Sequence, residues 1–241
     1  MKKLLVLVVV GLLALTGLTG CAAKTYKFGT GSSTTVSGRA ATAEAAGRVQ
    51  VTSIYAAVLL DDAGKIVYVD IDDAQNQGTF DAMGAVVAAE AAPTKTEKGA
   101  DYGMKGNSAI GKEWFEQMAA LEAYMVGKTI EEIKAIPVEE KDASLPAVPT
   151  GEDLKTSVSI TIEGYVAAVE AAVKNAVEVK GVAKVGVGSV ASVSGRAAVA
   201  AAEAVAGRIE TNVTFMGVAM DKDGKVLVSL LDVAQNQGTL D

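Results

Sequence analysis

Residues 49–72 read VQVTSIYAAVLLDDAGKIVYVDID. Two runs rich in β-branched residues flank the turn sequence Asp61-Asp-Ala-Gly64, whose glycine suits the positive φ angle of a tight turn. The stretch therefore predicts a β-hairpin formed by residues 49–60 and 65–72. The Ser/Thr/Gly-rich residues before it fit either a further strand or a linker.

The hairpin occurs twice in the chain. Residues 209–220 and 225–232 flank a second turn, Asp221-Lys-Asp-Gly224, and the motif that begins at Gln75 returns 160 residues later at Gln235. Two such copies indicate a duplicated unit. The second copy stops at its matching motif, whereas the first continues to residue 180. Either the sequence is a fragment of a longer protein, or the duplicated half-domain completes another part of the fold. We favour a fragment, because a strand unit without a covering layer exposes apolar faces and edges.

The segment between the copies has helical periodicity. Apolar residues at positions 110, 114, 118, 121 and 125 form one stripe, which Asn107 or Ser108 would cap. Thr129-Ile-Glu-Glu132 is a capping box. Residues 156–162 are a β-prone run, and residues 163–176 carry a second helical stripe. These patterns predict an α+β fold, with a small antiparallel sheet covered by helices in residues 31–180 and a truncated copy of the strand unit in residues 181–241.

The amino terminus has the features of a bacterial lipoprotein signal. Two lysines precede an apolar run over residues 4–18, which is too short to span a bilayer well, and Leu18-Thr-Gly-Cys21 fits the lipobox pattern. We expect residues 1–20 to be a signal peptide and residues 21–30 to be the lipidated Cys21 with a tether. The lipid would hold the protein at the extracytoplasmic face of the cell membrane.

The composition excludes several kinds of chemistry. The chain has no histidine, and Cys21 is its only cysteine, so histidine-dependent catalytic triads, the commonest zinc sites and an intramolecular disulfide are all excluded. Lipidation of Cys21 would remove thiol chemistry as well. The formal net charge of −7 becomes about −9 without the two leader lysines, which argues against nucleic acid as a partner.

Several strings together resemble a known family. They are the two Asp-x-x-Gly hairpins, Asp101-Tyr-Gly-Met-Lys105, Ile110-Gly-Lys-Glu-Trp114 and the step from strand to helix near residue 162. The strings resemble secreted lipoproteins of Gram-positive anaerobes. Those lipoproteins look like relatives of the FMN-binding domain found in flavinylated electron-transfer lipoproteins and in a subunit of sodium-pumping quinone reductases. The resemblance covers most of residues 25–180 and implies a protein that holds FMN and passes electrons to redox partners outside the membrane, a carrier or binding protein more than a catalyst.

In that family the motif Asp-x-Ser-Gly-Ala-Thr precedes a helix, and its Thr carries FMN through a phosphoester bond. The nearest string here is TSVSIT at residues 156–161, in which only Thr161 matches well. The resemblance therefore implies noncovalent rather than covalent FMN, with the phosphate at the start of the helix. The implied FMN-binding residues are Thr161, Ser159, Ser157, Tyr102 and Met104. A simple N-cap role would also account for Thr161.

Arginines occur at equivalent places in the two copies. Arg39 and Arg48 recur as Arg196 and Arg208. They predict either pairs of guanidinium groups that clamp a phosphate or carboxylate, or solvated charges at the ends of strands.

Other polar residues have a structural reading that we favour. Asp70, Asp72 and Asp73 suggest a cation site with oxygen ligands, but we expect a solvated strand face. Residues 75–77 suggest a polar pocket, but we expect the end of a strand and a turn. Trp114 lies in the helical stripe, which predicts a core position. The alternative to an FMN-binding function is therefore a noncatalytic surface lipoprotein that acts as a binding or structural module.

Overall fold

The computed structural model describes residues 9–12, 23–197 and 207–240. In chain order the elements are β1 (Val9–Leu12), β2 (Thr25–Arg39), β3 (Gly47–Leu60), β4 (Ile66–Phe80), β5 (Val86–Glu90), α1 (Lys95–Lys98), a 3-10 helix (Gly99–Tyr102), α2 (Trp114–Met125), α3 (Ile130–Lys134), β6 (Val138–Glu139), β7 (Val148–Pro149), α4 (Glu163–Lys174), β8 (Val177–Lys180), β9 (Lys184–Arg196), β10 (Gly207–Met220) and β11 (Val226–Leu240).

Both predicted hairpins are present, and their strands are longer than expected. β3 pairs with β4 and β10 with β11, each antiparallel around an Asp-x-x-Gly turn. The turn glycines Gly64 and Gly224 have φ angles of 75° and 83°, in the left-handed region that favours glycine. β4 continues past Asp72 to Phe80. The Ser/Thr/Gly-rich stretches are strands, β2 and β9, rather than linkers.

The predicted fold class is wrong. The described chain is mostly β, with three antiparallel sheets in the orders β5-β4-β3-β2-β8, β1-β9-β10-β11 and β6-β7. Helices α2 and α4 cover one face of the five-stranded sheet, and the four-stranded sheet packs on its other face. The second strand unit has an apolar face of its own, and it buries that face against the first unit, so a β-sandwich is formed.

The two copies face each other through equivalent strands. β9, the counterpart of β2, lies over β4, while β11, the counterpart of β4, lies over β2. At the centre, Tyr55 of β3 stacks on Phe215 of β10, with ring centroids 5.7 Å apart and 13° between the ring planes. These two residues are 160 positions apart and are therefore equivalent, which places an internal pseudo-two-fold axis between them.

Paired glycine contacts repeat the same symmetry. A Cβ built at Gly78 would lie 2.5 Å from Ile209 Cδ1, and one built at Gly238 would lie 2.6 Å from Val49 Cγ1. Gly78 is equivalent to Gly238, and Val49 to Ile209. The same surface therefore meets itself across the axis, as in an isologous dimer interface, but within one chain.

Helix α2 differs from its prediction at its N-terminus. α2 begins at Trp114, with Glu113 as N-cap and Glu116 completing a capping box, so Ile110 precedes the helix. Ser108 does not cap α2, although its Oγ accepts hydrogen bonds from Lys112 N and from the Gln117 side chain. The predicted capping box before α3 is confirmed.

The run at residues 156–162 is not a strand. Residues 151–157 form turns, and α4 begins at Glu163 as predicted. The apolar residues Val158, Ile160 and Ile162 alternate because they reach into the core between the helices and the five-stranded sheet. Their alternation reflects burial of an irregular segment, which a period of two does not distinguish from a strand.

The predicted tether is shorter than expected. β2 begins at Thr25 and pairs with β8 from there, so residues 25–30 belong to the sheet. Residues 9–12, within the predicted signal peptide, pair with β9 as β1. Cys21 lies outside the described residues. In the part of the chain that the structure describes, no helix is long and apolar enough to cross a membrane.

Candidate functional site

A cavity with two arginines lies where β2 and β3 meet the turn after β4. Its volume is about 520 Å³, and its lining includes Arg39, Arg48, Phe80, Met83 and Thr239. Arg39 and Arg48 are direct partners in the register of β2 and β3. Thr239 comes from β11, so both copies of the unit contribute to the cavity wall. The predicted guanidinium pair is therefore brought together, and it borders an open cavity whose volume is in the range of small-molecule sites.

The arginines of this cavity retain hydrogen-bonding capacity. Arg39 Nη2 donates to the carbonyl oxygen of Ala46 at 2.9 Å. The buried Nε of Arg48 has no hydrogen-bond partner within the described chain. Asp81 also lines the cavity, but its Oδ1 already accepts from the backbone N–H groups of Met83 and Ala85. A buried donor without an acceptor is costly, so this nitrogen is an unsatisfied polar group in the wall of the cavity.

The equivalent pair in the second copy has a different environment. Arg196 and Arg208 are also register partners, on β9 and β10. The Arg208 guanidinium forms an ion pair with Glu210, at 3.4 Å, and donates to Gln237. These side chains engage Arg208 within its own sheet, which makes it a matched comparison for Arg48.

A buried ion pair lies under the helical layer. Lys95 Nζ of α1 is 2.6 Å from Asp73 Oδ2 of β4, and both side chains are almost fully buried. Tyr165 donates to the same carboxylate oxygen, and Trp114 Nε1 donates to the Tyr165 hydroxyl at 2.9 Å. Burial raises the pKa of Asp73, and Lys95 opposes that shift. Burial alone would lower the pKa of Lys95, but Tyr165 and Asp73 raise it above the usual range.

A second buried carboxylate joins the two sheets. The Tyr55 hydroxyl donates to Asp72 Oδ2 at 3.0 Å and lies 2.9 Å from Ser189 Oγ on β9. Asp72 Oδ1 accepts from Thr96 N at the start of the helical layer. The aspartates of β4 therefore face protein, so the expected solvated strand face is wrong for Asp72 and Asp73. Among the described residues no cluster of acidic side chains has the arrangement of a metal site.

Two further carboxyl groups have strongly shifted pKa values. Burial, and then the charge of Asp72, raise the pKa of Asp70 to about 6. Burial, and then the charge of Asp70, raise the pKa of Glu122 to about 8. Glu122 Oε1 accepts from Ile71 N at 2.8 Å, which fixes α2 against β4. Perturbed groups often mark functional sites, but here Glu122 belongs to the contact between helix and sheet, and Asp70 accepts a hydrogen bond from Tyr68 of its own strand.

The structure places some of the predicted FMN residues at one end of α2. The N–H and hydroxyl of Ser159 both donate to Gln117 Oε1. Met104 N donates to Glu113. Tyr102 and Met104 are partly buried against the core, and Lys95 lies 5.2 Å above the Tyr102 ring. Ser157 is half-buried in a turn. These residues contact protein and line none of the cavities described here, so they do not fit a flavin ring in this arrangement.

Thr161 has a more distinctive environment. The N-cap of α4 is Ile162, which makes no side-chain cap, so the N-cap explanation of Thr161 is wrong. The Thr161 hydroxyl oxygen is buried and has no hydrogen-bond partner in the described chain. A single buried hydroxyl at a helix start does not by itself form a site.

Sequence reasoning missed the burial of polar residues along β4. Asn76 is fully buried in the middle of the strand, where its Oδ1 accepts from Ala92 N, so the expected strand end at residues 75–77 is wrong. Lys95 was not singled out at all. The three aspartates of β4 were a signal that could have been used. Charged side chains in a buried strand require either water or charged and hydrogen-bonding partners, so the aspartates indicated that partners had to come from elsewhere in the chain.

No family model matches the chain, and no solved structure matches it. The chain is similar to a protein named "Chlorophenol reductase" from Desulfitobacterium hafniense, with 40% identity over 91 residues. The match covers 32% of this chain and 28% of that protein. The chain therefore spans less than a third of the length of the curated relative.

Proposed function

We propose that this chain is a lipid-anchored extracytoplasmic protein that binds FMN noncovalently and carries electrons outside the membrane. The observation that carries the proposal is the Arg39–Arg48 pair, which opens into a cavity of about 520 Å³. A guanidinium pair suits a phosphate, because each group presents several donors in a fixed geometry. The proposal therefore places the phosphate at this pair rather than at Thr161.

The rest of the cavity is compatible with a flavin. Phe80 and Met83 supply an aromatic and a thioether surface, both of which pack favourably on planar rings. When bound, the flavin would supply the redox chemistry, and these side chains would bind and orient it.

The position of the cavity along β2 suits a protein that reaches away from a membrane. β2 begins at Thr25, four residues after the predicted lipid attachment at Cys21, and ends at Arg39. A strand of 15 residues spans roughly 45–50 Å. In this proposal the anchor would precede one end of β2, and the cavity lies at the other end of that strand. The partial match to a protein named as a reductase also favours a redox role, although it covers only a part of both chains.

The proposal is tested by titrating FMN into the mature chain, residues 22–241, and recording flavin fluorescence and the visible spectrum. We expect saturable binding that is lost on denaturation, since no covalent bond is formed. Arg48→Met should weaken binding by about 2 kcal/mol, the scale of a lost charge-assisted hydrogen-bond pair. The matched Arg208→Met variant should bind FMN as the wild type does, because Arg208 is engaged by Glu210 and Gln237.

Two results would refute the proposal in different ways. Absence of FMN binding would remove the flavin function. Binding that is lost in Thr161→Val but retained in Arg48→Met would place the flavin at the helix start that the family resemblance implies.

The second candidate function, a noncatalytic binding or structural module, is favoured by a different observation. Met216, Leu231 and Val233 are exposed on the outer face of the four-stranded sheet, which the described residues leave uncovered, whereas the equivalent face of the other sheet lies under helices.

A further inference from the structure

The outer faces of the two sheets differ although their sequences are copies. In the first copy, Ile71 and Ala56 are 2% and 0% exposed beneath α2 and α4. Their equivalents in the second copy, Leu231 and Met216, are 64% and 43% exposed. Apolar side chains have been retained on a face where this structure provides no cover, and contiguous apolar surface of that kind marks an interaction site.

Glycines on β2 show how the first copy receives its helix. Cβ atoms built at Gly29 and Gly31 would collide with α4, and the one at Gly29 also with Ala176 beyond it. The Cβ at Gly31 would lie 2.6 Å from Ala171 Cβ and closer still to the backbone of Ala172. The absence of a side chain at Gly31 therefore lets the backbone of the helix approach the sheet closely. The second copy has Gly186 and Gly188 at these positions, and a Cβ at Gly188 would meet nothing within 4 Å. The described chain therefore leaves the space over Gly188 open.

The edge of the second sheet also matches that of the first. In the first copy, β8 follows α4 and pairs antiparallel with β2 at Lys27 and Phe28. Their equivalents, Lys184 and Val185 of β9, pair antiparallel with β1. β1 lies in the predicted signal peptide, so its removal would leave this edge unpaired. An exposed edge is a template for a further strand.

We propose that the four-stranded sheet is a docking surface for a helix–strand unit of the α4–β8 type. The helix would place alanines against Gly186 and Gly188, as α4 places Ala171 and Ala172 against Gly29 and Gly31. Its apolar face would cover Met216 of β10, as α4 covers β3 in the first copy, and the strand that follows would pair with the edge of β9. The combination of apolar face, glycine groove and strand edge selects this partner over a helix or a strand alone.

The test places the proposed partner next to the surface. A copy of residues 82–182 is attached directly after Asp241, in the chain of residues 22–241, which lacks Cys21. Because Cys21 is the only cysteine, Met216→Cys then gives a single thiol in the proposed interface. The rate at which this thiol reacts with a disulfide reagent is compared with and without the attached segment. Met83→Cys, at a side chain that is 85% exposed in the first copy, is the control position.

We expect the attached segment to slow labelling at position 216 by about a hundred-fold and to leave position 83 unchanged, since docking excludes water from a buried interface. Gly188→Val should restore fast labelling, because its side chain would occupy the space of the helix backbone. Gly106→Val is the matched control, since a Cβ there also meets nothing within 4 Å.

Three results would overturn the proposal. Labelling at position 216 that the attached segment does not change would show that the surface does not accept this unit. Protection that persists in Gly188→Val would show that the glycine groove is not used. Concentration-dependent protection without the attached segment would show that a second copy of the chain covers the sheet instead.

Discussion

Substitution of Gly31 and of its equivalent Gly188 should have opposite effects on stability. Both glycines lie in strands, and neither has a positive φ angle, so alanine fits either backbone. A Cβ at Gly31 would lie 2.6 Å from Ala171 Cβ, whereas ordinary carbon contacts are about 3.5–4.0 Å. α4 would have to retreat by roughly 1 Å. The space at Gly188 is open.

The size of the effect follows from these contacts. Overpacking in a rigid core costs about 1–3 kcal/mol, and the Gly31→Ala collision involves helix backbone that cannot rotate away, so we expect about 2–3 kcal/mol. Gly188→Ala should stabilise the chain by about 0.4–1 kcal/mol, because alanine lowers the conformational entropy of the unfolded state.

The assay is urea unfolding followed by the fluorescence of Trp114. Trp114 is the only tryptophan, and it donates to Tyr165 of α4, so its emission reports the packing of that helix. With a slope of about 2 kcal/mol per molar urea, Gly31→Ala should lower the midpoint by about 1–1.5 M. Equal midpoints for the two variants would refute the argument, since they would mean that α4 does not contact Gly31 as described.

Three further predictions concern buried polar groups. Lys95→Met leaves Asp73 buried without its partner and should cost about 3–5 kcal/mol in urea unfolding. The double variant Lys95→Met with Asp73→Asn should recover much of that loss. Equal losses in the single and the double variant would argue against the ion pair. The pKa of Glu122 is about 8 in the folded chain against a reference value of 4.5. Between about pH 4.5 and 8 the folded state therefore binds more protons than the unfolded state, and the free energy of unfolding should fall as the pH rises through this range. Glu122→Gln keeps the acceptor for Ile71 N–H and should flatten that dependence, and an unchanged slope would contradict the assignment. Tyr55→Phe removes the hydroxyl that bridges Asp72 and Ser189, and it should lower the free energy of unfolding in urea by about 1–3 kcal/mol. Phe215→Tyr, at the equivalent position, should not raise the free energy of unfolding.

The local pattern of the chain predicted both hairpins and the three longer helical segments, but it wrongly predicted a strand at residues 156–162 and a strand end at residues 75–77. The Asp-x-x-Gly turns, the capping box before α3 and the start of α4 follow from steric and hydrogen-bonding rules that act within a few residues. The duplication was also visible, because equal residues recur at fixed spacing. The signal sequence and Cys21 are read from the same kind of local pattern, and they stay predictions.

The fold class required information that no local pattern contains. The sequence shows that the strand unit is duplicated, but not that its copies pack against each other, because the contacts of Tyr55 with Phe215 and of Gly78 with Ile209 join residues more than a hundred positions apart. A face that looks suited to helices can equally be buried by a second sheet. Which layer covers it depends on shape complementarity, which only the folded arrangement decides.

The candidate site divides in the same way. The repeated arginines were recognised from the sequence, and the hairpin register alone makes Arg39 and Arg48 neighbours. The Arg39–Arg48 pair borders a cavity, whereas Arg208 forms an ion pair with Glu210. This difference arises because the two copies have different surroundings. The sequence determined the strand unit, its turns and its duplication, since these arise from short-range chemistry. Only the tertiary structure decided which equivalent residues are buried, paired or left open, because covering layers are supplied by distant parts of the chain.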